Sequence, residues 1–141
     1  MTPLAMLYPM LCQVALALML WGWMARLRWV ALRTRQVRPA DIALGEPAWP
    51  KRTIQVANCF RNQFELPVLF YVLVLLVLVT RMSDVLLVVL AWVFVLSRVV
   101  HAYIHTGSND VRLRGGVYGV GALALIVMWI WYALRLLSAA V

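Results

Sequence analysis

The sequence predicts an all-α integral membrane protein, a bundle of four helices that each cross the lipid bilayer. Of its 141 residues, 65% are hydrophobic and 13% are charged, whereas a soluble domain is about half apolar and about a quarter charged. The apolar residues also gather into continuous runs close to the ~20 residues that a helix needs to cross hydrocarbon. Strands of a membrane β-barrel would alternate in polarity instead. The length accommodates one such domain, residues 1–141.

The first span is predicted over residues 4–30. Its apolar run is longer than that of a signal peptide, so we expect it to remain attached. Trp21, Trp23 and Trp29 stand towards its end, and tryptophan accumulates at the interface between membrane and water. A basic connection with proline and glycine punctuation follows over residues 31–52.

The formal net charge is +8, and its distribution indicates topology rather than nucleic-acid binding. Seven cations surround the first connection: Arg26, Arg28, Arg33, Arg35, Arg38, Lys51 and Arg52. Because Lys and Arg accumulate in cytoplasmic connections, we expect the N-terminus outside the cell and the basic connections inside it. The cluster also suits anionic lipid headgroups, so membrane lipid is an expected partner and nucleic acid is not.

The remaining spans are predicted over residues 53–80, 85–105 and 117–137. A short RMSD turn joins the second span to the third, and Ser83 or Asp84 is available there as an N-cap. At the start of the fourth span, Gly115 and Gly119 have the small-xxx-small spacing that favours close helix packing.

The first half of the second span carries polar residues on one helix face. They are Asn58, Arg61, Asn62 and Glu65, at positions i, i+3, i+4 and i+7. A charge at membrane depth costs roughly 3 kcal/mol even on a lenient insertion scale, so such residues normally face protein or a watery cavity. Arg61 and Glu65 are also spaced to pair with each other.

Two further segments bring polar side chains to the same level of the bundle. They contribute Arg98, His101 and His105 at the end of the third span, and Arg114 and Tyr118 at the start of the fourth. Glu65 is the single acid at this level, so it cannot neutralise three arginines. An anionic ligand or a water-filled cavity is therefore implied.

The same polar residues are compatible with two other interpretations. In the first, they hydrogen-bond with one another and hold the helices in register. In the second, His101 and His105 share a metal or ligate haem. Further ligands and nearby carboxylates are scarce, so no metal site is assigned.

Three of the segments form a familiar combination: RNQFELPVLFY in the second span, SRVVHAYIH in the third and RLRGGVY at the fourth. Together they resemble a bacterial-type branch of the MAPEG family, the membrane-associated proteins in eicosanoid and glutathione metabolism. The similarity extends over most of the chain and includes its length, its four spans and its basic first connection. It implies a homotrimer of four-helix subunits in the bacterial inner membrane. Glutathione sites would lie between neighbouring subunits near the cytoplasmic face.

The resemblance also implies roles for individual residues. Arg114 would be the catalytic residue that stabilises the glutathione thiolate. The glutathione-binding residues would be Arg38, Arg61, Asn62, Glu65, His101 and Tyr118. The implied activity is that of a glutathione-dependent transferase or peroxidase acting on lipophilic electrophiles, with glutathione as co-substrate. The alternative is a non-catalytic membrane protein whose polar stripes hold an oligomer together or bind anionic lipid.

Overall fold

A computed structural model describes residues 4–43 and 48–139 of the chain. These residues form five α-helices: α1 (Leu4–Arg33), α2 (Lys51–Arg61), α3 (Leu66–Val79), α4 (Val85–Thr106) and α5 (Val111–Ala139). Two 3-10 turns accompany them, Pro39–Ile42 and Asn62–Phe64. When α2 and α3 are taken as one segment, four helices are long and apolar enough to cross a membrane. The predicted all-α class with four long apolar helices is confirmed.

The fourth span begins earlier than the sequence pattern indicates. α5 starts at Val111 rather than near residue 117. The Asp110 carboxylate accepts two backbone N–H groups of the first turn, at 2.8 and 3.2 Å, which is how an N-cap stabilises a helix start. Arg114 therefore lies inside the helix, one turn before Tyr118.

The second span is not one continuous helix. α2 ends at Arg61, the chain passes through a 3-10 turn, and α3 begins at Leu66. Pro67 explains the break, because its ring has no N–H and would collide in a regular helix with the carbonyl of Gln63, four residues earlier. Glu65 leaves the helical region, at φ −96° and ψ −108°. The predicted polar stripe is divided at this turn.

The core lies around α4, which is the most buried of the four spans. Phe70 of α3 stacks on Phe94 of α4 with ring centroids 4.6 Å apart. Met6 of α1 and Met128 of α5 pack into the same cluster, and all four side chains are inaccessible to solvent. Large apolar side chains cover the outer faces of the helices, as a lipid-facing surface requires.

Gly121 allows α5 to approach α4. A Cβ atom at this position would overlap Ser97 Oγ and would lie 3.8 Å from Arg98 Nε. A Cβ added at Gly115 or Gly119 would lie in open space, with no atom from another helix of the described chain within 4 Å. Within the described chain, close helix packing therefore depends on Gly121 rather than on the predicted glycine pair.

Asp84 ties the turn between α3 and α4 to the end of α5. Its carboxylate accepts the Leu87 backbone N–H at 2.8 Å, as an N-cap, and the Trp131 indole N–H at 2.8 Å. Arg135 donates to the same carboxylate and to the Met82 carbonyl. Partial burial favours a higher pKa for Asp84, but these hydrogen bonds and the charge of Arg135 outweigh it and hold the pKa below its usual value.

The opposite end of the bundle, here termed the basic end, carries the connection between α1 and α2. Three arginine guanidinium groups stack on tryptophan rings there, at 5.3, 5.0 and 4.9 Å from the ring centres: Arg28 on Trp49, Arg33 on Trp29 and Arg52 on Trp23. Such cation–π contacts are favourable. Their combination of tryptophan and arginine is typical of a helix end at the membrane interface.

Candidate functional site

Contacts between α2 and the end of α4 align two of the polar segments. Gln55 donates to the backbone carbonyls of His105 at 2.7 Å and of Gly107 at 3.2 Å. Arg52 donates to the Thr106 carbonyl. Because the start of α2 is fixed in this way, the residues that follow it lie alongside the polar face of α4.

The polar face of α4 points towards the interior of the protein. Arg98, His101 and His105 are 0%, 2% and 4% exposed. The two imidazole rings lie edge to face with centroids 5.5 Å apart, and the His101 ring lies 5.7 Å from the Tyr118 ring of α5. The third and fourth spans therefore contact each other through His101 and Tyr118, two residues that the sequence predicts at the same level of the bundle.

Asn62 and Glu65 join this group from the two sides of the helix break. Asn62 Nδ2 lies 3.4 Å from His105 Nδ1. The Tyr118 hydroxyl donates to Glu65 Oε2 over 3.5 Å. Polar residues of the second span thus contact both other segments, although they no longer form one regular helical stripe.

Arg98 lies beneath Tyr118. Its guanidinium carbon is 4.6 Å from the centre of the Tyr118 ring, and the whole residue is inaccessible to solvent. Within residues 4–43 and 48–139, none of its three side-chain nitrogens has a hydrogen-bond partner, although buried polar groups are normally paired. Six of these residues are here termed the polar cluster: Asn62, Glu65, Arg98, His101, His105 and Tyr118.

A buried pair of glutamines braces the helix break from α1. Gln13 Nε2 donates to Gln63 Oε1 at 2.8 Å, and Gln63 Nε2 donates to the Cys59 backbone carbonyl at 3.1 Å. Both side chains are almost completely inaccessible. A side-chain amide thus satisfies a carbonyl at the end of α2, where regular helical bonding stops. The pair holds the turn that separates Asn62 from Glu65.

Two of the predicted arginines lie beside the polar cluster rather than in it. Arg61 is exposed at the end of α2, and among the described residues it forms no ion pair with Glu65. Arg114 is partly exposed and donates to the Asn109 side-chain carbonyl at 2.6 Å. Of the three arginines at this level, Arg98 alone turns inward.

Arg38, another arginine predicted to bind glutathione, lies in the connection between α1 and α2 at the basic end. Its guanidinium donates to both carboxylate oxygens of Asp41, at 3.0 and 3.3 Å. This hydrogen bonding, together with the charge of Asp41, raises the pKa of Arg38. The side chain is 83% exposed. No hydrogen bond or ion pair in the described part of one chain joins it to the polar cluster.

The surroundings of His101 and His105 do not form a metal site within the described residues. Within the described ranges, no group of three His, Cys, Asp or Glu side chains is arranged to hold a metal ion. His101 contacts Tyr118, and His105 lies against Asn62. A stable metal centre would need more ligands than these two imidazoles supply.

Two apolar clefts open on the described part of the chain. The first has a volume of about 270 Å³ and is lined by Ala17, Leu18, Trp21, Phe60 and Phe64. The second has a volume of about 350 Å³ and is lined by Val93, Leu96, Ser97, Val100, Val117 and Val120. Phe60 precedes Arg61 in the sequence, and Ser97 and Val117 precede Arg98 and Tyr118, so the linings include chain neighbours of these polar residues. Concave apolar surfaces of this kind suit apolar ligands.

Sequence reasoning missed the bracing glutamines. Gln13 stands alone in an apolar run of the first span, and an isolated amide in such a run was the available signal. The pattern identifies Arg98 as one of three arginines at its level. Its complete burial depends on the Tyr118 ring and on the close approach at Gly121, which no pattern within a single helix encodes.

The four spans and the polar cluster between them define an integral membrane protein with a polar site inside its helix bundle. The family described as the MAPEG family matches residues 6–134, which is nearly the whole chain. The protein therefore belongs to the MAPEG family, a membrane family that includes glutathione transferases and peroxidases, and the predicted resemblance is confirmed. No curated protein and no solved structure matches the chain.

Proposed function

We propose that this protein is a glutathione-dependent transferase or peroxidase that acts on lipophilic electrophiles. The observation that supports this most directly is a series of contacts between three segments of the chain: Asn62 with His105, His105 with His101, His101 with Tyr118, and Tyr118 with Glu65. Membership of the MAPEG family supports glutathione as the ligand. The two apolar clefts support a lipophilic second substrate.

The chemistry requires a glutathione thiolate next to positive charge. A free thiol has a pKa of about 8.5, and a neighbouring guanidinium lowers it towards neutrality. Arg114 lies in the first turn of α5, where the helix dipole adds positive potential. We assign Arg114 to the sulfur. The thiolate attacks an electrophilic carbon, a C–S bond forms, and the leaving group departs with the electron pair of its broken bond.

A peroxide substrate would follow a related course. The thiolate attacks one peroxide oxygen, the O–O bond breaks, and the other oxygen takes a proton and leaves as an alcohol. The glutathione sulfenic acid that results condenses with a second glutathione to give the disulfide and water. Glutathione is therefore the reductant in this reaction.

We further propose that subunits of a homotrimer complete the binding site. Asn58, Arg61 and Glu65 are exposed within a membrane-spanning segment, where contact with lipid is unfavourable. Subunit packing on this side would cover them and would allow Arg38 of one chain to approach the polar cluster of the next. From the distribution of Lys and Arg, we place the basic end at the cytoplasmic face of a bacterial plasma membrane, with the N-terminus outside.

Calorimetric titration of glutathione into the purified protein in nanodiscs tests the proposed function. The wild-type protein should bind glutathione and show the ultraviolet band of a thiolate. Arg114→Ala should lower the thiolate fraction roughly tenfold at neutral pH, because the nearby positive charge is lost. Arg112→Ala removes an exposed cation from the same helical turn and should leave the band unchanged. Absence of both binding and the band in the wild type would refute the proposal.

A second candidate function is that of a non-catalytic membrane protein which binds anionic lipid. The three arginine–tryptophan stacks favour it, because they hold cations at the level of lipid headgroups. In that case the protein would bind anionic vesicles but not glutathione. Calorimetric titrations with glutathione and with anionic vesicles therefore distinguish the two functions.

A further inference from the structure

Arg98 is unusual among the charged residues of the chain. Among residues 4–43 and 48–139, it is the one Arg, Lys, Asp or Glu that is fully buried. It lies eight residues before the end of α4, which corresponds to about 12 Å along the helix axis. A cation so deep inside a membrane segment is unfavourable unless it is paired, yet its nitrogens have no acceptor in the described chain. The position therefore indicates a functional role rather than a contribution to stability.

Tyr118 contacts both Arg98 and Glu65, which form no ion pair with each other within the described residues. Its ring covers the Arg98 guanidinium at 4.6 Å, while its hydroxyl donates to Glu65. In the described chain the ring face, rather than a carboxylate, therefore covers the guanidinium. His101, one turn along α4, has a buried Nδ1 that also lacks a partner within the described residues. Two polar side chains of the same helix face are therefore available to a ligand.

The surroundings of Arg98 restrict what that ligand can be. A guanidinium presents parallel N–H groups that match the two oxygens of a carboxylate. Close approach of α5 at Gly121 confines the Nε edge, whereas Tyr118 is partly exposed. A ligand would consequently enter past the Tyr118 ring. The charge, the planar donor geometry and the single aromatic cover favour a carboxylate group.

We propose that Arg98 is a ligand-binding residue that receives a carboxylate of the anionic substrate when the Tyr118 ring moves aside. This inference rests on the proposed function, and it assigns to Arg98 one carboxylate of glutathione while Arg114 serves the sulfur. Within the described residues, no acceptor or acid compensates this buried charge in the free protein. The ligand neutralises that charge on binding.

Arg98→Met tests the proposal, because methionine is similar in length and carries no charge. Stability and binding should change in opposite directions. The melting temperature of the free protein should rise, since an unpaired buried charge is removed. Affinity for glutathione should fall roughly 10- to 100-fold, as expected for the loss of a charge-assisted hydrogen-bonded pair. A lower melting temperature with unchanged affinity would overturn the proposal, because it would identify Arg98 as a structural residue.

A matched control is Arg112→Met, which removes an exposed cation from the start of α5. It should leave both the melting temperature and the affinity close to the wild-type values. A second variant, Arg98→Lys, keeps the charge but loses the planar fork. Its affinity should fall between those of the wild type and Arg98→Met.

Glutathione analogues identify the group that Arg98 holds. One analogue has the glycyl carboxylate blocked as an ethyl ester, a second lacks the γ-glutamyl carboxylate, and a third is S-methylated. The wild type should bind one of the first two more weakly than glutathione, and Arg98→Met should not distinguish that analogue from glutathione. If Arg98→Met instead loses only the distinction between glutathione and its S-methyl form, Arg98 acts on sulfur and the carboxylate assignment is wrong.

A test with acetate, a simple carboxylate, does not depend on glutathione binding. It therefore distinguishes failure of the Arg98 assignment from failure of the proposed function. If the wild type binds no glutathione, the proposed function fails, but Arg98 is still tested by sodium acetate against sodium chloride at equal ionic strength. Acetate should raise the melting temperature of the wild type and leave that of Arg98→Met unchanged. Equal shifts in the two proteins would overturn the carboxylate site.

Discussion

At the scale of single residues, Asp84 shows which contacts can be predicted from a sequence and which cannot. An aspartate directly before an apolar run is a recognised helix start, so its role as N-cap of α4 was predictable. Its bonds to Trp131 and Arg135 were not, because they require the end of α5 to return to this turn. Local capping follows from neighbouring residues, whereas this second role follows from the tertiary structure.

Asp84→Asn should destabilise the protein by about 1–3 kcal/mol at neutral pH, because a charged acceptor of several hydrogen bonds is lost. The pKa of Asp84 is lowered in the folded state from its ordinary value of 3.8. Its stabilising contribution is therefore present above that ordinary value and is lost as the pH falls through the lower folded-state pKa. Melting temperatures of the two proteins in detergent should differ at neutral pH and converge in strong acid.

Asp41→Asn provides the matched control for this prediction. Asp41 also pairs with an arginine, Arg38, but the two side chains are 40% and 83% exposed. Solvent weakens such a pair, so its removal should change the melting temperature little. An effect as large as that of Asp84→Asn, or a difference for Asp84→Asn that persists in strong acid, would contradict the assignment.

At the scale of elements, the break between α2 and α3 determines how the polar cluster forms. Pro67 is visible in the sequence, but prolines are tolerated in membrane helices, so the apolar run predicted one helix over residues 53–80. The structure separates Asn62 from Glu65 at the break and directs them to different helices. The brace from Gln13 involves a partner 50 residues away, which helical periodicity cannot identify.

Gln13→Leu should loosen the 3-10 turn without altering any residue of the polar cluster. Leucine is similar in size but cannot donate to Gln63, so a buried amide oxygen loses its partner at a cost of about 1–3 kcal/mol. Asn62 and Glu65 flank the turn, and we expect the glutathione dissociation constant to rise several-fold. The thiolate band at saturating glutathione should be retained, because the cations near the sulfur are unchanged. Calorimetry and ultraviolet spectra measure the two quantities.

The control for this change is Gln36→Leu, which replaces an exposed glutamine just beyond α1. It should leave both stability and glutathione affinity unchanged. If Gln13→Leu binds glutathione as tightly as the wild type, the glutamine pair does not position the site. A lost thiolate band would also contradict a purely positioning role.

At the scale of the whole molecule, the membrane fold was the most predictable feature. Each spanning helix satisfies its own backbone hydrogen bonds, so composition and run length suffice to identify it. The site was predictable in part. Four of the seven residues assigned from the family motif meet in one chain, but Arg38, Arg61 and Arg114 do not join them there. Spacing places a residue on a helix face, whereas long arginine side chains can turn to the helix end or to the surface.

The last prediction concerns assembly, and it rests on the exposed polar side chains in the first half of the second span. Asn58, Arg61 and Glu65 are exposed in a spanning segment, and a subunit interface would shield them from lipid. We expect native mass spectrometry to show a trimer. If the subunits associate through apolar packing, Arg61→Ala should keep the trimer, but the proposed inter-subunit site would lose a cation and glutathione affinity should fall about tenfold or more.

Arg81→Ala, which removes an exposed cation from the turn between α3 and α4, should change neither assembly nor affinity. The comparison of these two variants distinguishes the proposed functions. If Arg61→Ala dissociates the trimer while the wild type shows no glutathione binding, the polar face serves assembly, as in the non-catalytic alternative. A wild-type protein that is monomeric in nanodiscs would leave the exposed charges facing lipid, and the inter-subunit site would have to be abandoned because no neighbouring chain could bring Arg38 to the polar cluster.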